Sequence, residues 1–128
     1  MGPDCKTLFI VDDTPDNVRL LANLLSDHGY RIRKALDANF ALKSIEQSPP
    51  DLILLDVNMP TMNGYEMCAR LKSNPHTQEI PIIFISALDN VLDKVKAFNL
   101  GGADYITKPF QMEEVLARIE HQLLLLQQ

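Results

Sequence analysis

Clustered cysteine, concentrated positive charge and long apolar runs are all missing from this 128-residue chain. Its two cysteines, Cys5 and Cys68, lie far apart, and neither has a second Cys or a His at metal-ligand spacing. They read as reduced thiols, with Cys68 a small buried residue on a helix, so no disulfide framework or Cys/His metal site is expected. No unbroken apolar stretch approaches the roughly 20 residues a spanning helix needs. No basic segment leads into an apolar one at the N-terminus, so no signal peptide is read there. Met1-Gly2 would suit myristoylation, but Lys6 stands where that motif wants Ser or Thr. With 17 acidic against 12 basic residues the net charge is −5, and no Lys/Arg stripe forms, which argues against direct nucleic-acid binding. These features fit a cytoplasmic protein without a membrane partner.

What remains is 46% apolar and 23% charged, the balance of an ordinary folded chain with one hydrophobic core. The pattern alternates strand and helix five times. TLFIV (7–11) reads as a buried strand, and a helix follows with Thr14 as cap, Pro15 at its first position, Val18, Leu21, Ala22 and Leu25 on one face, and Gly29 as stop. Tyr30 to Leu36 alternates and predicts a half-polar edge strand. Asp37 caps a second helix carrying Ala38, Ala41, Leu42 and Ile45, which Ser48-Pro49-Pro50 ends. LILL (52–55) is the third strand. A loop from Asn58 to Asn63 leads into a helix with Gly64, Met67, Cys68 and Leu71 on one face. Pro81 opens the fourth strand, IIFI, and Asp89 or Asn90 starts a helix bearing Val91, Val95 and Phe98 that Gly101-Gly102 terminates. Asp104 to Thr107 is the last strand. Lys108-Pro109 breaks it at a fixed bend suited to a cis bond, and the final helix carries Met112, Val115, Leu116, Ile119 and Leu123.

Such strict alternation implies an α/β fold: a doubly wound, five-stranded parallel sheet with five helices on its two faces, in the flavodoxin-like order 2-1-3-4-5. Four of the apolar runs then end in residues that can handle a phosphoryl group or a cation: Asp12-Asp13, Asp56, Ser86 and Lys108. Ligands of open parallel sheets bind outside the carboxyl ends of the strands, so these residues should meet there. Singly, Asp12 or Asp56 would be a turn former and Lys108 a solvated loop residue. Jointly they read as a site.

Its chemistry follows from charge. Two carboxylates about 4 Å apart repel by roughly 4 kcal/mol at an effective dielectric of 20, so three together call for a cation. Hard oxygen ligands select Mg²⁺, with Mn²⁺ able to substitute, and Mg²⁺ completes its shell with water and phosphate oxygens. Lys108 offers a point charge to that phosphate and Ser86 a hydroxyl. Asp56, alone at its strand end, is left as the nucleophile.

Asp12-Asp13, the block PDLILLDVNMPTMNGYE (50–66), Ser86-Ala87 and GGADYITKPF (101–110) together resemble the receiver domain of two-component response regulators. The likeness covers essentially the whole chain, with all four pieces in order. It implies a phosphorylation-controlled switch in which Asp56 accepts a phosphoryl group from a histidine kinase or phosphotransfer protein. Asp13 and Asp56 would bind Mg²⁺ directly, Asp12 through a water, and the backbone carbonyl of Asn58 would complete the shell. Ser86 and Lys108 would hold the phosphoryl oxygens, and Tyr105 would be the aromatic switch residue, turning inward on activation. The surface of the fourth helix, last strand and last helix would then control an output domain or partner protein, with a phosphorylation-dependent homodimer as one outcome. Such a domain is a phosphoacceptor assisting its own chemistry rather than an enzyme. Two departures stand out: Asn58 where many relatives carry an apolar residue, and Ser86 in place of the commoner Thr.

An aspartate-nucleophile phosphatase acting on small phosphorylated substrates uses similar groups. Its two aspartates are separated by one residue, however, whereas here they are adjacent, and a cap domain has no room. A flavodoxin-type cofactor binder would be repelled by Asp12-Asp13, and the complete acidic set argues against a degenerate receiver that only docks. His28 reads as a favourable charge at a helix end, His76 as a loop residue and His121 as solvated. The last helix, EEVLARIEHQLLLLQQ, has no stop signal, which points to a single receiver domain, 1–128, within a larger regulator or hybrid kinase.

Overall fold

The computed structural model describes residues 5–126; Met1-Gly2 and the final Gln127-Gln128 lie outside them. The elements run β1 (Thr7–Val11), α1 (Pro15–Asp27), β2 (Arg31–Ala35), α2 (Ala38–Gln47), β3 (Leu52–Asp56), α3 (Gly64–Lys72), β4 (Ile82–Ser86), α4 (Val91–Asn99), β5 (Asp104–Thr107) and α5 (Met112–Leu126). All strand pairs are parallel, in the order β2-β1-β3-β4-β5. This is the expected flavodoxin-like arrangement. The register pairs Val11 with Leu55 and Asp56 with Ile85, which brings the ends of the three central strands level.

Alternation along each strand divides the core. Leu8, Ile10, Leu52, Leu54, Ile83, Ile85 and Ile106 pack with α1 and α5, while Phe9, Val11, Ile53, Leu55, Ile82, Phe84 and Tyr105 pack with α2, α3 and α4. The central strands β3 and β4 are buried at every position, as strands covered on both faces must be. The edge strand β2 is largely accessible, and the Arg33 guanidinium crosses it to lie 4.9 Å from the Phe9 ring centroid while donating to the carbonyl oxygens of Ser44 and Ser48.

Local signals act as expected at most ends. Asp37 accepts from the Phe40 N–H, Asn90 from that of Asp93, and Gly29 and Gly101 take positive φ after their helices. The Lys108-Pro109 bond is cis. Thr14 stands at the N-cap of α1, but its side chain caps nothing. Helix α4 turns its apolar side outward. Its stripe of Val91, Val95 and Phe98 faces solvent, together with Leu92, and only Ala97 is buried. The reason is steric: α4 meets the sheet on its smallest side chain, beside Gly102, whose added Cβ would lie 2.7 Å from the Phe84 ring.

Candidate functional site

Strand ends β1 and β3 bring Asp12, Asp13 and Asp56 together, with one carboxylate oxygen from each lying within 4.8 Å of the others. Asp12 and Asp56 are buried, and Asp13 is exposed. Both oxygens of Asp12 are engaged. Oδ1 accepts the Thr14 N–H at 2.9 Å, and Oδ2 lies 3.1 Å from Lys108 Nζ and 3.5 Å from Asn17 Nδ2. The turn that fails to cap α1 thus fixes Asp12 instead. Asp56 Oδ1 lies 3.2 Å from the same ammonium, so Lys108, just past β5, bridges two carboxylates. No hydrogen bond reaches Asp56 Oδ2 or the Asp13 carboxylate among the described residues.

The charge on this cluster is unbalanced. Burial, then Asp12 and more weakly Asp13, push the Asp56 carboxyl up to about 6, with Lys108 opposing. Burial works against the Lys108 ammonium too, but Asp56 and Asp12 outweigh it and raise its pKa. Three carboxylates facing one lysine leave net negative charge in a largely buried setting. An all-oxygen donor set of that kind suits a hard divalent cation.

Ser86 is fully buried at the end of β4, and its Oγ accepts the Leu88 N–H at 3.0 Å, which leaves the hydroxyl proton free to donate. Its carbonyl accepts the Lys108 N–H at 2.7 Å, tying β4 to the bend that aims the lysine. Tyr105 differs from expectation. Its ring is already turned inward, packed against Phe84 at 6.3 Å between centroids, and its hydroxyl donates to the Leu88 carbonyl at 2.8 Å. The inward position satisfies both the apolar ring and the polar tip.

Asn58 is exposed in the β3–α3 loop. That loop contains two features that motif spacing did not single out. Thr61 has φ 71, in a tight turn closed by Met62 N–H to the Pro60 carbonyl at 2.8 Å, a strained position for a β-branched residue. Gly64 opens α3 so close to the strand end that an added Cβ would lie 2.2 Å from the Asp56 carbonyl oxygen. Its N–H donates to Val57 O at 2.8 Å. The reciprocal Asn63 and Glu66 capping box fixes this helix start, and was readable as N-x-x-E. Nothing in the sequence announces the strain at Thr61. The histidines stay outside the site: His28 Nδ1 lies 3.0 Å from the Leu24 carbonyl at the end of α1, and His121 is exposed.

Comparison with known proteins agrees with this geometry. The family model of the response regulator receiver domain matches residues 8–120. The chain is 41% identical over 117 residues to a probable cyclic di-GMP phosphodiesterase of Vibrio cholerae, covering 91% of this chain and 26% of that protein. It is 39% identical to the response regulator PleD of Caulobacter vibrioides, covering 88% of this chain and 25% of PleD. The chemotaxis protein CheY4 of Vibrio cholerae superposes with TM-score 0.87 at 26% identity, over 91% of this chain and 98% of that one. The chain belongs to the response regulator receiver domains of two-component signalling. It spans about a quarter of the length of these two curated relatives.

Proposed function

We propose that the domain accepts a phosphoryl group on Asp56 from a histidine kinase or phosphotransfer protein, and that Mg²⁺ is held by Asp12, Asp13, Asp56 and the backbone carbonyl of Asn58. The observation that carries this reading is the bridging of Asp12 and Asp56 by Lys108 beside a third carboxylate. Asp56 is chosen over Asp12 as acceptor because its Oδ2 is unengaged, whereas both Asp12 oxygens are tied down. Bound there, Mg²⁺ would supply neutralising charge for the carboxylates and the incoming phosphoryl oxygens.

The remaining work falls to the chain. The Asp56 oxygen attacks phosphorus in line, its new O–P bond replacing the P–N bond to the donor imidazole, which leaves with the electron pair. Lys108 is already 3.2 Å from Asp56 and pairs with a phosphoryl oxygen, and the free Ser86 hydroxyl proton donates to another. Positioning supplies the rate, because little covalent assistance is required. Water in place of the carboxylate, attacking the aspartyl phosphate, returns the domain to rest.

Readout is assigned to α4, β5 and α5. The exposed Val91, Leu92, Val95 and Phe98 on α4 support this, as an apolar face that a partner, an output domain or a second phosphorylated copy would cover. With Tyr105 already inward, phosphorylation is proposed to tighten the Ser86–Leu88–Tyr105 hydrogen bonds rather than to flip the ring. We place the domain in the cytoplasm within a longer regulator.

Incubation with acetyl phosphate and Mg²⁺, followed by intact-mass measurement, should add one phosphoryl group to the wild type and none to Asp56→Asn. Equal labelling of the two would overturn the assignment.

A further inference from the structure

Helix α4 is held by little. A single side chain of its nine residues, Ala97, is buried, and its bulky apolar positions face solvent. The loop before it is pinned by Tyr105 to Leu88, and by Asp89, which accepts from Thr107 Oγ1 and pairs with Lys94. The body of the helix is contacted from another side by Tyr65, the second residue of α3. The Tyr65 ring is buried and packs on Phe84 at 5.5 Å between centroids. Its hydroxyl lies 3.3 Å from the Asp93 carbonyl oxygen and 3.4 Å from Asp93 Oδ1, both acceptors in the first turn of α4. One turn on, the Lys96 ammonium sits 4.6 Å above the Tyr65 ring centroid.

Tyr65 also follows Gly64, where an added Cβ would meet the Asp56 carbonyl oxygen and whose N–H donates to Val57 O. A shift of the acceptor's own strand end is therefore delivered to Tyr65 through one peptide unit, without passing through Ser86 or Tyr105. We infer that Tyr65 is a second positioning residue of the switch, tying the β3–α3 loop directly to the body of α4. Its hold on α4 in the resting state stands on geometry alone, while its part in signalling rests on the proposed phosphorylation of Asp56.

Amide hydrogen exchange on the unphosphorylated chain tests the hold. Loss of one hydrogen bond in Tyr65→Phe should speed exchange of α4 amides by roughly two- to tenfold while α1 and α5 stay at the wild-type rate. Tyr65→Leu, which also removes the ring beneath Lys96, should speed them further. The two hydroxyls bind different acceptors, but they lie close enough to interact and both rings pack on Phe84, so adding Tyr105→Phe to Tyr65→Phe should speed exchange beyond Tyr65→Phe alone without reaching the product of the separate effects. Unchanged α4 exchange in Tyr65→Phe overturns the hold, and a double variant no faster than Tyr65→Phe overturns the claim of a separate route.

The signalling half is read with acetyl phosphate and beryllium fluoride. Tyr65→Phe should be modified at the wild-type rate, yet its α4 amide shifts on beryllium fluoride binding should shrink. Full-sized shifts would overturn the coupling. A wild type that acetyl phosphate fails to modify would instead sink the phosphoacceptor reading and leave the exchange result to decide the role of Tyr65 in the resting fold.

Discussion

Asp56, the proposed phosphoacceptor, is the residue on which stability and the proposed chemistry conflict. Its carboxyl is raised to about 6 by burial and by Asp12, against an ordinary value near 4 in an unfolded chain. Between about pH 4 and pH 6 the folded chain keeps a proton that the unfolded chain has released. Stability therefore falls as pH rises through that window, and the loss is complete above it. The shift corresponds to roughly 3 kcal/mol. In metal-free buffer, Asp56→Asn should flatten the dependence of urea midpoint on pH between about 4 and 6 and raise neutral-pH stability by about 1–3 kcal/mol. An unchanged slope would show that Asp56 is ionised at no cost in the folded chain. Asp12 is equally buried, but its oxygens meet the Thr14 N–H, Asn17 and Lys108, so the conflict centres on its neighbour.

At the scale of elements, what was legible is what local chemistry dictates. Every strand and helix could be placed from periodicity and punctuation, with Pro15, Gly29, Asp37, Asn90 and Gly101 acting as the sequence indicates. The candidate site was legible because its residues sit at strand ends, where parallel topology forces them to converge. The outward face of α4 was not legible, since an apolar stripe looks the same whether it meets a core or awaits a partner. Ala97 against Phe84 and Gly102 decides the matter only in three dimensions. Nor was the inward Tyr105 legible, because its acceptor is the backbone oxygen of Leu88. Gly64 gives an element-scale test. Gly64→Ala places a methyl group against the Asp56 carbonyl oxygen, so α3 or the strand end must move. Overpacking of this kind costs about 1–3 kcal/mol, readable as a lower urea midpoint, and acetyl phosphate should modify the variant more slowly. Wild-type values for both would mean the loop yields freely.

For the whole molecule, the cluster links folding to the ionic medium. A cation that binds the folded chain alone stabilises it by RT ln(1 + [L]/Kd), about 1.4 kcal/mol at ten times Kd. Mg²⁺ should therefore raise the melting temperature near neutral pH and do little near pH 4, where protons compete for the carboxylates. Asp13→Ala should weaken that response more than Asp12→Ala, because Asp13 is exposed and unengaged while Asp12 is already occupied by Lys108 and the Thr14 N–H. The reverse ranking would exchange their roles. The clustering of three carboxylates, two of them paired with one lysine, also bears on how such a chain can change over generations. A lineage screened only for heat resistance, without divalent cations, would find its quickest gain in an amide or apolar residue at 56, and so would discard the proposed phosphoacceptor before it loosened its fold.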